Sequence, residues 1–216
     1  MSHLGRLLVC LESESENGVR AALAKAIGSW YLHGSHSLLG RLMVCLEAEE
    51  SGQVRAAIAS AIGEWSIHGD SGQLQRLFYH FESESEYEVR ASLANAIGSW
   101  PMHGDMALLS QLLSHLETEV DFRTRKSLAD AIGLWSAHGS EYVLKRLVSV
   151  RESEGENAVS AALGNAIKAI SNSNSGATQG ESGAEVDFEL NTIEDLEARF
   201  AELNLLALIL VVPTEA

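Results

Sequence analysis

A chain of 216 residues that is 46% hydrophobic has apolar material for one good-sized domain or two small ones, which excludes wholesale disorder. Its net charge of −15, from 15 Lys and Arg against 30 Asp and Glu, excludes a broad nucleic-acid surface, and it disfavours an anionic membrane surface. With two cysteines, no signal-peptide apolar core with a cleavage site, and a longest apolar run ("LLALILVV", Leu205 to Val212) far short of the roughly 20 residues a membrane helix needs, the chain reads as a cytoplasmic protein.

The first predicted element is a helix carrying Leu4, Leu7, Leu8 and Leu11. Offsets of three, four and seven place them on one stripe. The stripe returns as Leu39, Leu42, Met43 and Leu46, and again as Leu74, Leu77, Phe78 and Phe81. These are the A helices.

An acidic break follows each one: "ESESENG", "EAEESGQ", "ESESEYE", "ETEVDFR" and "ESEGENA". Acids and small polar residues suit the start of a second helix, whose first N–H groups lack partners.

That second helix, B, reads "VRAALAKAIGSW" in the first copy. Val19, Leu23, Ala26, Ile27 and Trp30 share a face predicted to be buried. Ala21, Ala24 and Gly28 lie opposite and permit close neighbours. Gly28 costs about 1 kcal/mol of helix propensity against alanine, so its return at Gly63, Gly98 and Gly133 points to close packing.

Each B helix runs into Trp-x-x-His-Gly: Trp30 and His33, Trp65 and His68, Trp100 and His103, Trp135 and His138. The tryptophan is expected to anchor packing. The histidine suits a helix C-terminus, and Gly34 and its copies are expected to end the helix in a left-handed conformation.

The copies recur every 35 residues, as 1–35, 36–70, 71–105, 106–140 and a degenerate cap at 141–170 that puts Lys168 and Ile170 in the Gly and Trp positions. Fixed self-similarity in this range signals a solenoid, and atypical terminal units are the norm. The fold class expected is all-α.

The segments "VRAALAKAIG", "VRAAIASAIG" and "VRASLANAIG", each after an acidic turn, resemble HEAT-like repeats of the bacterial phycobilisome-lyase type. The resemblance implies a right-handed α-α superhelix with A helices on the convex side and B helices on the concave side. It also implies ladders between units that pair Arg20, Arg55, Arg90 and Arg125 with turn acids, of which Glu12, Glu47, Glu82 and Glu117 are the expected partners.

The column Cys10, Cys45, His80, His115 has zinc-ligand residue types. Helices 8–10 Å apart spread its ends over nearly 30 Å, so no single ion can be shared, and no metal or cofactor is expected. There is no phosphate loop, nucleophile elbow or HExxH, so no catalytic residues are expected.

Three columns on the B helices that point away from the core stripe vary while the scaffold columns barely change: Lys25, Ser60, Asn95, Asp130; Ser29, Glu64, Ser99, Leu134; and Leu32, Ile67, Met102, Ala137. The concave face is the usual binding surface of a solenoid, so these residues form the candidate partner-binding site.

Residues 171–190 are rich in Ser, Asn and Gly and read as a linker. In 191–216, Ile193, Leu196, Phe200, Leu203, Ala207 and Leu210 form a heptad seam ending before Pro213. This docking helix could fold back on the solenoid, join a second chain into a homo-oligomer, or meet another partner.

The leading expectation is a non-enzymatic scaffold for a protein partner, with a basic one suited to the acidic turns. A bilin lyase-like cofactor chaperone or enzyme is the alternative. A nucleic-acid-binding HEAT-like module comes third, because the candidate face offers only Lys25 against Glu64 and Asp130.

Overall fold

Alternating apolar stripes and acidic breaks give alternating helices. A computed structural model of the chain describes residues 3–100 and 104–179, with side chains as far as Asn174. The expected docking helix, Met102 and His103 lie outside the described residues. Residues 1–177 form one compact unit.

The described residues are all-helical, with ten α-helices. The A helices are α1 (His3–Ser13), α3 (His36–Ala48), α5 (Ser71–Ser83), α7 (Met106–Thr118) and α9 (Glu141–Ser153). The B helices are α2 (Asn17–Gly28), α4 (Gly52–Glu64), α6 (Tyr87–Gly98), α8 (Phe122–Leu134) and α10 (Asn157–Gln179). Helices α1, α3, α5 and α7 each pack on the B helix that follows, α2, α4, α6 and α8 pack on one another in turn, and α8 meets α10 at Gly133 and Ala166. Short 3-10 turns at Tyr31–His33, Ser66–His68 and Ser136–His138 close the repeats.

One apolar core runs through the stack. The A-helix stripe is buried as expected, including Leu8, Leu39, Leu42, Met43, Leu74 and Leu77. The B helices are buried on two sides. A Cβ on Gly28 would stand 3.0 Å from Ala61 Cα, and one on Gly63 would stand 2.9 Å from Ala96 Cα. Gly133 meets Ala166 Cα in the same way, at 3.2 Å. The helix-weakening glycines therefore occupy near-contacts of backbone on backbone, which offset their propensity cost.

The tryptophans reach backwards. Trp65 Nε1 donates to Ile27 O at 3.1 Å, and Trp135 Nε1 donates to Gly98 O at 3.2 Å, each in the preceding repeat. Both indoles thus bond backbone across the junction, Ile27 O accepting this bond in addition to one from Trp30 N–H. Trp65, Trp100 and Trp135 are fully buried, whereas Trp30 is 45% exposed. The expectation of a buried anchor therefore fails for the first copy. The cause is positional: among the described residues no repeat stands in front of it.

The glycine after each histidine also differs from expectation. Gly34 has φ −67° and Gly69 has φ −93°, and no described glycine has positive φ. These positions are small because the next repeat fills the space. A Cβ on Gly34 would meet the His68 ring at 2.6 Å, and one on Gly104 would meet the Trp135 ring at 2.7 Å. On Gly69 it would overlap the Trp100 indole, and on Gly139 the Ile170 side chain.

The residue after that glycine caps the next A helix. Ser35 accepts from Leu38 N–H, Asp105 from Leu108 N–H and Ser140 from Val143 N–H, while Asp70 forms a full capping box with Gln73. The motif is thus a corner that ends one helix and starts another.

At the other corners the arginine ladder forms with different acids than expected. Arg20 pairs with Glu49, Arg55 with Glu84, Arg90 with Glu119 and Arg125 with Glu154, at 2.8–2.9 Å. The same arginines donate to carbonyls of their own turn, as Arg20 Nη1 does to Glu14 O and Ser15 O. Each glutamate also accepts from the backbone amide two residues on, as Glu84 does from Glu86. That third contact is available only from inside the turn, so the turn acids displace Glu12, Glu47, Glu82 and Glu117. Three of the displaced acids take the next A helix instead: Glu12 pairs with Arg41, Glu47 with Arg76 and Glu117 with Arg146.

Burial pushes the carboxyls of Glu84 and Glu119 up, but their arginine and amide partners outweigh it and hold both below the ordinary value. Arg125 does the same for Glu154 directly. A lowered carboxyl means that the folded state binds fewer protons, so the stabilisation is complete above about pH 4.5 and is lost as pH falls through the depressed values. Thermal unfolding followed between pH 7 and 3 is expected to hold its midpoint down to about pH 5 and then fall. Glu84→Gln lowers the midpoint at neutral pH and flattens the acid slope. An unchanged slope would remove the ladder from the stability account.

Helix α10 runs on to Gln179, through the first part of the stretch expected to be a linker. Two of its serines bond back within the helix, Ser171 Oγ donating to Ile167 O and Ser173 Oγ to Ala169 O. Ile170 is fully buried where the other repeats place tryptophan.

Candidate functional site

The candidate face is built on the sides of the B helices left free by the A helices and by neighbouring B helices. The structure exposes Lys25, Ser29, Leu32, Ser60, Glu64, Ile67, Asn95, Ser99, Leu134 and Ala137, and leaves Asp130 partly buried. Glycine sets the spacing of its central column. The Glu64 side chain stands 3.8 Å from where a Gly28 Cβ would be, Ser99 Oγ stands 3.6 Å from that of Gly63, and Leu134 stands 3.4 Å from that of Gly98. Each variable side chain therefore lies over the glycine of the repeat before it, and the column is continuous from helix to helix.

The polar members differ in availability. The hydroxyls of Ser29, Ser60 and Ser99 turn back on carbonyls of their own helices, at Ala26, Ala56 and Asn95. Asp130 is held by Lys126 at 2.6 Å. What projects freely is largely apolar, with Leu32 at 70%, Ile67 at 66% and Leu134 at 60% exposure. Leu32 and Ile67 owe this to the 3-10 turns, which swing them off the helix axis.

The histidines are drawn into packing. His68 Nε2 lies 2.6 Å from Tyr31 O, and its ring meets Trp65 at 6.3 Å. His138 stacks against Trp135 in the same edge-on manner. In the Cys/His column, His80 faces Glu47 at 3.4 Å and His115 faces Glu82 at 3.3 Å. Burial pushes the Cys45 thiol up, which makes it a poor nucleophile. Among the described residues no group of three or more metal-ligating side chains converges.

The larger cavities follow the corners, while a smaller one of about 240 Å³ touches the candidate face at Ser29 and Leu32 beside Trp30. One of about 700 Å³ lies among Leu116, Glu119, Arg125, Val150 and Glu154, and another of about 400 Å³ lies among Leu11, Arg20, Cys45 and Glu49. Both are lined by the arginine ladder, whose charges are already paired. The sequence reading missed the glutamates of this ladder and the capping residues Ser35, Asp70, Asp105 and Ser140. Their 35-residue recurrence was the available signal.

Compared with protein-family models and with curated proteins, the chain matches none. Among the described residues no helix is long and apolar enough to cross a membrane.

Proposed function

We propose that the chain is a HEAT-like solenoid that acts as a non-catalytic scaffold and holds a protein partner on the exposed face of its B helices. The observation that carries this reading is the division of labour between columns. Positions that touch neighbouring repeats recur almost unchanged, while the three columns assigned to the exposed B face change from repeat to repeat, Ser29 and Ser99 being the one match within a column. Packing explains the first pattern, and a partner with its own irregular surface explains the second. The exposed Leu32, Ile67 and Leu134 supply apolar contact, with Lys25 and Glu64 beside them as charges that set register. The imidazoles and carboxylates that chemistry would need are largely taken up in contacts between repeats.

The test uses substitutions that leave the core alone. Ile67→Glu and Leu134→Glu change side chains that are already exposed, so stability is expected to stay within about 0.5 kcal/mol. Crosslinking in extracts of the source cells identifies a partner, and binding of that purified partner is then measured. Either substitution is expected to weaken it tenfold or more, since apolar anchors carry about 1.4 kcal/mol or more each. Affinity unchanged from the parent chain in both variants would reject this face.

A further inference from the structure

Every internal junction joins two different faces. The leading side of a repeat offers Val54, Ile58, Ala61 and Trp65, or their copies, all no more than 2% exposed. The trailing side of the repeat before it answers with a glycine over the alanine and an arginine for the turn glutamate at each junction, with a carbonyl for the indoles of Trp65 and Trp135, and with a glutamate for Arg41, Arg76 and Arg146.

Among the described residues the first repeat presents the same leading side uncovered. Val19 is 46% exposed and Trp30 is 45% exposed, Ala26 is exposed, and Leu23 is only partly buried. The polar groups that the internal junctions use are in place as well. Glu14 stands where Glu49, Glu84, Glu119 and Glu154 each hold an arginine, and its carboxylate meets the amides of Ser15 and Glu16. Arg6 stands where Arg41, Arg76 and Arg146 hold acids, and among the described residues it pairs with none. Solenoid ends that serve as caps are polar, whereas this one is apolar with a complete set of unused ion-pair partners.

We infer that the leading face of the first repeat is a docking edge for a helical-hairpin unit. That unit carries the same trailing chemistry: a glycine opposite Ala26, a helix-end carbonyl for Trp30, an arginine for Glu14 and an acid for Arg6. A second copy of this chain added head to tail does not fit. Its trailing face has Ser160 in place of the arginine and the exposed Lys168 in place of the glycine. This edge is separate from the B-helix face, so either can fail without the other.

The probe is a hairpin of known chemistry. Residues 36–70, placed a second time directly ahead of Met1, keep the 35-residue period and present Gly63, Arg55, Glu47 and the Ile62 carbonyl to the first repeat. Tethering removes the dependence on concentration, so the outcome reports the fit of the two faces. Amide exchange across Asn17–His33 is expected to slow about tenfold or more, and Trp30 emission to shift to the blue. Ala26→Arg is exposed in the parent chain and is expected to leave its unfolding midpoint unchanged, yet to abolish both effects in the fusion. The inference is overturned if exchange in α2 is no slower with the hairpin attached, or if Ala26→Arg does not reverse the slowing.

Discussion

Trp135→Ala is expected to cost about 3–5 kcal/mol in denaturant unfolding, the range for truncating a large aromatic in a packed core. The ring is fully buried, lies near Phe78 and fills the space over Gly104. Its Nε1–H satisfies Gly98 O, which the substitution leaves buried without that partner. The same change at Trp30 is expected to cost less than about 1 kcal/mol, because that ring is 45% exposed and among the described residues has no preceding repeat to hold. The contrast is informative because the two tryptophans sit in the same motif. Equal losses would mean that each indole stabilises its own repeat and not the junction behind it.

Gly63→Ala is the second large effect, and its sign runs against propensity. In an open helix the change gains up to about 1 kcal/mol. Here the new methyl would stand 2.9 Å from Ala96 Cα and 3.3 Å from Ala96 Cβ. Backbone cannot step aside as a flexible side chain can, so α4 and α6 must separate along their contact. Overpacking of this kind costs about 1–3 kcal/mol, and the net result is a loss. Gly18→Ala is the control. Nothing lies within 4 Å of its Cβ position in the first turn of α2, so it is expected to stabilise by about 0.5 kcal/mol. Unfolding midpoints of the two variants should move in opposite directions. A gain at Gly63 would show that the B helices are less tightly apposed than these distances imply.

These outcomes mark where the sequence was legible. The A-helix stripe was plain because Leu39, Leu42 and Met43 face one buried side only, and a period of 3.6 reports that directly. The recurring Gly28, Gly63, Gly98 and Gly133 correctly announced close helix contacts, since nothing else justifies a repeated helix-weakening residue. What periodicity does not carry is direction along the stack. Trp30 and Trp65 share a local sequence and differ only in what stands before them, which the reading of a single repeat cannot register. The same blindness assigned Gly34 to a left-handed turn, although its constraint comes from His68 and Trp65 in the next unit. The ladder failed more narrowly. Glu47 and Glu84 are both acids near a corner, and only the turn geometry lets Glu84 reach the Glu86 amide and Arg55 together. The candidate face was legible as a set of exposed positions. Its continuity over the glycine column was not, because that needs the distance between helices.

The near-identity of the junctions has a consequence for how such a molecule changes over generations. Gly28 meets Ala61 much as Gly63 meets Ala96, and Arg20 meets Glu49 much as Arg55 meets Glu84. Any interior unit can therefore neighbour any other, and recombination between the tandem gene segments can add or drop one whole module without inventing a new contact. Length becomes the trait most readily altered, in steps of one helix pair, while the irregular residues each module carries to the surface are shuffled as a set.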